Sequence, residues 1–101
     1  MAAELPSIAS LRAFVAVART LSFKQAAHEL HLSPSALSRQ VSALEEHLGA
    51  LLFQRFNPGL VLTAHGKGYL EQVEASLQRL ERAQEAIRGA GFGPVRVSAL
   101  E

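Results

Sequence analysis

Two helix-start signatures stand eleven residues apart, at Ser22-Phe23-Lys24-Gln25 and at Leu32-Ser33-Pro34. In the first, the Ser22 hydroxyl is placed to accept from the Gln25 amide while the Gln25 side chain reaches back, a capping box that starts a helix at Phe23. In the second, Ser33 is the N-cap and Pro34 takes the first helical position, where a missing N–H costs nothing. Leu32 is placed to staple onto Leu37, so this helix starts at Pro34. Only three residues separate Leu30, the last apolar residue of the one helix, from the start of the next. That spacing predicts a helix-turn-helix. The sets Phe23, Ala26, Ala27, Leu30 and Leu37, Val41, Leu44, Leu48 each repeat with the 3.6-residue period, giving each helix one buried stripe. The small Ala26 and Ala27 permit a close helix crossing.

Away from the second stripe lie Ser35, Ser38, Arg39 and Ser42 at helical spacing. Mostly short and polar, they let a helix backbone sit deep in a major groove about 12 Å wide. Such a face suits DNA better than a protein core. Gly49 is placed to end this helix as the residue past its C-terminus.

Upstream, Ile8, Leu11, Phe14, Val15 and Ala18 form an apolar face behind the possible cap Ser7, predicting a supporting helix from Ile8 to Arg19. Downstream, the β-favouring runs LLFQRF and LVL flank Asn57-Pro58-Gly59 and read as a hairpin, which makes the helix-turn-helix a winged one. Thr63 can cap a fourth helix running to Arg88 without a proline. Leu70, Val73, Leu77, Leu80 and Ile87 repeat along it with 3–4 spacing, broken by Gln84. At about 1.5 Å per residue such a helix spans roughly 37 Å, more than a domain of this size covers, so its seam is expected to meet a second chain, with the part near Leu70 packing on the chain's own core. The expected organisation is a mainly α chain. Residues 1–63 form a winged helix-turn-helix (three-helix core plus β-hairpin wing), 64–88 a dimerisation helix and 89–94 a glycine-rich hinge. Residues 95–101 begin a strand whose partners would lie in a further domain.

Composition sets bounds on chemistry. With 101 residues, 49% hydrophobic, the chain fits one small globular domain. It has no cysteine, hence no disulfide and no thiolate metal site. The start MAAELPSIAS has neither a basic stretch nor an apolar h-region, and no run approaches the ~18 apolar residues that span a bilayer, so no membrane partner is expected. The net charge of +1 is low for a nucleic-acid binder. Through residue 66, Arg12, Arg19, Lys24, Arg39 and Arg55 face Glu4, Glu29, Glu45 and Glu46, so one copy should bind DNA feebly. Backbone N–H groups at the two helix starts, and binding as a dimer, can supply the rest.

Bland roles compete at several positions. Ser22, Ser33 and Thr63 are first of all caps. Arg39 could reach Glu46, and Arg55 could pair with an acidic neighbour. His28-Glu29-Leu30-His31 spaces its histidines at i and i+3 with no third ligand, short of the i, i+4 metalloprotease pattern, so no metal is expected. His47 and His65 read as solvated, and no acid–base constellation indicates an enzyme.

The segments LRAFVAVARTLSFKQAAHELHLS, PSALSRQVSALEEHLG, LFQR and LTAHG, with PVRVSAL at the end, resemble the LysR-type transcriptional regulators in order and spacing. The resemblance implies a bacterial, cytoplasmic, nucleoid-associated regulator that binds pseudo-palindromic promoter DNA. It also implies a homodimer through antiparallel linker helices, with a possible tetramer when intact. A small-molecule effector would act on a further C-terminal domain, and no cofactor is implied for this portion. Base-reading positions carry over to Pro34, Ser35, Ser38 and Arg39, with Ser22, Phe23, Ser33 and Ser42 around them and Arg55 and Thr63 near phosphate. Two positions depart from the family. Pro34 stands where glutamine is common, leaving apolar contact, for instance with a thymine methyl, in place of an amide on adenine. This variant resembles the branch containing the glycine-cleavage activator. Asn57-Pro58-Gly59 lacks the basic residue many relatives extend toward the minor groove. The winged helix of a molybdate-responsive regulator and a winged-helix protein-interaction module remain alternatives, though the second would need no arginine on this face.

Overall fold

A computed structural model of the chain describes residues 4–56 and 59–89. Its elements are α1 (Ile8–Thr20), α2 (Phe23–Leu30), α3 (Pro34–Leu48), β1 (Phe53–Arg55), β2 (Leu60–Leu62) and α4 (Ala64–Gly89). β1 and β2 form an antiparallel pair in which Phe53 faces Leu62 and Arg55 faces Leu60. The predicted order of elements is present, with boundaries shifted by one residue at the ends of α1 and α4. Gly89, expected to begin the hinge, is the last residue of α4. The rest of the hinge, the strand over 95–101 and the wing-tip residues Asn57 and Pro58 lie outside the described residues.

The caps explain the starts. Ser7, Ser22 and Ser33 each accept an amide three residues on, from Ser10, Gln25 and Ala36 at 3.1, 3.0 and 3.1 Å. The capping box at α2 differs from expectation in its second arm. The Ser22 amide donates to the Thr20 hydroxyl at 3.2 Å, a partner supplied by the end of α1, in place of the Gln25 side chain. Thr20 in turn donates to the Ala16 carbonyl at 2.9 Å. One threonine thus closes α1 and opens α2. The turns after α1 and α2 use left-handed residues, Leu21 (φ 52°) and His31 (φ 59°), neither of them glycine. Gly49 closes α3 in the same conformation at φ 73°, as the sequence predicts.

The core gathers Phe14 and Val17 of α1, Ala26 and Ala27 of α2, Leu37, Val41 and Leu44 of α3, and Leu52 and Phe53 at the wing root. Two expected stripe members fall outside it. Ile8 and Leu48, at the outer ends of their helices, are 46% and 37% exposed. An aromatic cluster ties four elements together. Phe14 stacks tilted on Phe53 and Tyr69 at 5.6 and 5.5 Å, and Phe53 meets Phe23 edge-on at 6.3 Å. Burial pushes the Tyr69 phenol above its ordinary pKa, keeping it protonated.

The seam of α4 is divided. Val73 and Leu77, expected at an interface with a second chain, are 5% and 7% exposed and belong to the chain's own core. Leu70 is half-buried against that core. Leu80 and Ile87 are 54% and 60% exposed. The physical reason is that α4 runs along α1 as far as Glu81, with Val73 and Leu77 facing it and Leu80 facing away, while Ile87 lies past that contact. Two ion pairs, Arg19–Glu74 at 2.9 Å and Arg12–Glu81 at 3.4 Å, line that contact one heptad apart on each helix.

Gly66 sets how closely α4 approaches the wing root. A Cβ at this position would collide with the Leu52 carbonyl oxygen and lie 2.9 Å from Leu62 Cδ2. The same carbonyl accepts the Thr63 amide at 3.0 Å, so it is not free to move aside. Gly66→Ala is expected to lower stability by about 1–3 kcal/mol, as overpacking does. A thermal melt would check this, and an unchanged midpoint would mean that the root of α4 slides without cost.

Candidate nucleic-acid interface

The face of α3 turned away from Leu37, Val41 and Leu44 carries Pro34, Ser35, Arg39 and Ser42, all exposed, with Ser38 half-buried at its edge. Among the described residues no buried polar side chain competes for them. Arg39 makes no ion pair among the described residues, so the alternative partner Glu46 does not hold it. Side chains of this kind at a helix start can bond base edges and phosphates while keeping the backbone close to a groove.

The structure also brings Arg55 to the start of α2, a residue that the sequence places far from Ser22 and Phe23. The Arg55 guanidinium of β1 sits over the Phe23 ring, 4.5 Å from its centroid, at the N-terminus of α2. A cation–π contact of this kind holds a guanidinium in place without neutralising it. Ser22, Phe23 and Arg55 therefore cluster where the amides of the first turn of α2 are unpaired within the helix, an arrangement suited to an oxyanion. Arg55 has no acidic neighbour in an ion pair among the described residues. Lys24, exposed in the same first turn, adds a positive charge that sequence reasoning missed as a site residue. Its signal was a lysine at the second helical position, next to residues already singled out.

Thr63 stands apart from these residues. Its hydroxyl donates to the Leu51 carbonyl at 2.6 Å and accepts the Gly66 amide at 3.0 Å. Its single O–H proton is committed, so it acts as the cap of α4 and has no donor left for a phosphate. The Ser22 hydroxyl accepts in its cap and keeps its proton for another partner, whereas the Ser33 hydroxyl also lies 3.4 Å from that of Ser35. His47 is not simply solvated, since its Nε2 donates to the Glu4 carbonyl at 2.8 Å. Among the described residues no three metal-ligating side chains converge, and no helix is long and apolar enough to cross a membrane.

Three helices with a short turn before the exposed one, closed by a two-stranded hairpin, define a winged helix-turn-helix domain. Residues 8–67 match the model of the bacterial regulatory helix-turn-helix proteins of the lysR family. The chain belongs to that family, which sets aside the molybdate-responsive alternative. It is 40% identical over 95 residues to the RuBisCO operon transcriptional regulator of Allochromatium vinosum, covering 91% of this chain and 32% of that protein. It is 38% identical over 101 residues to the glycine cleavage system transcriptional activator of Escherichia coli K12, covering 99% of this chain and 33% of the relative. The chain thus spans about a third of the length of these relatives. The BenM DBD, solved in complex with benA site 1 DNA, superposes with a TM-score of 0.80 at 30% identity, over 86% of this chain and 98% of that one.

Proposed function

We propose that this chain is a sequence-specific DNA-binding module of a transcriptional regulator, acting as a homodimer. The observation that carries the reading is the exposed face of α3, where Pro34, Ser35, Arg39 and Ser42 stand clear of the core. In this reading α3 enters the major groove. Arg39 reads a guanine edge, and Ser35 and Ser38 bond bases or backbone at its flanks. Ser22, Phe23, Ser33 and Arg55 position the domain on phosphates, with the amides of two helix starts supplementing a net charge of +1. The likeness to a domain solved on DNA supports this use of the face. Dimerisation is assigned to the outer part of α4, where Leu80 and Ile87 are exposed, and two copies match the two halves of a pseudo-palindromic site. We place the protein in the bacterial cytoplasm at the nucleoid. Regulation by a small-molecule effector, and assembly into tetramers, are assigned to regions outside this chain. No catalytic role is assigned to it.

Arg39→Ala is expected to weaken binding by about 1–3 kcal/mol on a duplex selected from random sequences by the protein itself, and to relax preference at one base pair. Fluorescence anisotropy at fixed salt measures the affinity, and circular dichroism confirms the fold. An unchanged affinity and an unchanged base preference would sink the assignment of α3 as the reading helix.

A further inference from the structure

Glu45 lies on α3 but makes its bonds elsewhere. One carboxylate oxygen, Oε2, accepts the amides of Leu52 at 2.8 Å and Phe53 at 3.1 Å, the first backbone groups of the wing. Its backbone carbonyl accepts the amides of Gly49 at 2.8 Å and Ala50 at 3.2 Å, closing the end of α3. A single residue therefore holds both ends of the turn between the reading helix and β1. The connection continues, because the Leu52 carbonyl accepts the Thr63 amide at 3.0 Å and the Thr63 hydroxyl bonds the Leu51 carbonyl and the Gly66 amide. Two residues along β1 from Phe53, on the same face of the strand, is Arg55, which lies over Phe23. These bonds join α3 to the wing and the wing to the root of α4.

We propose that Glu45 is a positioning residue that sets the wing, and with it the Arg55 guanidinium, relative to the reading helix. The proposal rests on the DNA-binding reading given above. Bonds from a carboxylate to two amides are charge-assisted, stronger and more directional than neutral ones. They compete here with little else, since Glu45 forms no ion pair among the described residues. The residue borders an open hollow lined by Ser42, Glu46, Gly49, Ala50 and Leu51. Water entering that hollow can satisfy the Leu52 and Phe53 amides when the carboxylate is absent. Removing Glu45 therefore loosens the backbone at the wing root while Leu52 and Phe53 keep their packing in the core. A net charge of +1 makes this consequential, because a module with few cations depends on where each one is held.

The test is a double-variant cycle on the whole 101-residue chain with Glu45→Ala, Arg55→Ala and both together. Affinity for the selected duplex is followed by anisotropy across a salt series. Arg55→Ala is expected to reduce the steepness of log K against log salt by about one, the signature of one phosphate contact. Glu45→Ala should reduce it by the same amount although the substitution adds positive net charge, and the pair together should go no further. Glu45→Gln, which keeps an acceptor oxygen, should recover part of the loss. Amide exchange should quicken at Leu52 and Phe53 and stay unchanged in α1 and α2. Additive losses, or no loss from Arg55→Ala in either background, would overturn the proposal while leaving the DNA-binding reading standing. So would a Glu45→Ala variant whose Leu52 and Phe53 amides exchange as in the unaltered chain. Failure of the unaltered chain to select any duplex would instead overturn the DNA-binding reading itself.

Discussion

Phe14→Ala is expected to lower the free energy of unfolding by about 3–5 kcal/mol, the range for truncating a buried aromatic. Phe14 is fully buried and is the hub of the aromatic cluster, touching Phe53 from the wing and Tyr69 from α4. Its loss opens a cavity bordered by elements that the helix caps and the wing-root hydrogen bonds hold in place, so the site collapses poorly. A small domain has a total stability of about 5–15 kcal/mol, and the variant should therefore be partly unfolded at physiological temperature. Urea denaturation followed by circular dichroism gives the number. A loss below about 1 kcal/mol would mean that the three-helix core closes over the gap and that the aromatic contacts add little.

The second large effect separates two leucines three residues apart on α4. Leu77→Glu is expected to destabilise the fold by at least the about 2–5 kcal/mol of a leucine truncation, since it also places a carboxylate against the α1 surface. Glu74 and Glu81, flanking it one turn away on either side, add like-charge repulsion. Leu80→Glu should leave the melting temperature of the isolated chain nearly unchanged, within about 0.5 kcal/mol. It should instead shift sedimentation toward the monomer, because Leu80 is 54% exposed and available to a second copy. Equal losses of stability in the two variants would contradict the divided seam. A Leu80→Glu chain that still sediments as a tight dimer would remove the outer part of α4 from the interface.

Residues whose roles depend on neighbours three or four positions away are legible in the sequence itself. The Ser22 and Ser33 caps, Pro34 at the first position of α3, Gly49 beyond its end and the apolar stripes are all of this kind. The lysR resemblance carries the same legibility to the reading-helix face. Partners brought from a distance are not legible in this way. The second arm of the α2 capping box goes to Thr20 because the end of α1 turns back on it. Thr63 reads as the cap of α4 in the sequence, but only the fold shows that its hydroxyl also donates to the Leu51 carbonyl. Glu45 reads as one of two adjacent surface acids, since nothing local marks a carboxylate whose amides lie at the entry to a strand.

The periodicity on α4 shows the limit most plainly. Sequence alone determined that this helix would be long and apolar along one face, because spacing on a helix fixes which side chains share a side. It determined in the same way that α3 would have one buried and one polar face. It could not determine what each part of the α4 seam would meet, since a leucine stripe is equally satisfied by its own chain or by another. That was decided by the angle at which α4 leaves the wing root, set by Gly66 against Leu52 and held by the Arg19–Glu74 and Arg12–Glu81 pairs. Along that line Val73 and Leu77 face α1 and are covered, whereas Leu80 points away from it and Ile87 lies past the last ion pair, at Glu81. Hydrophobic burial follows from contact in space, and only the tertiary path of the chain brings those surfaces together.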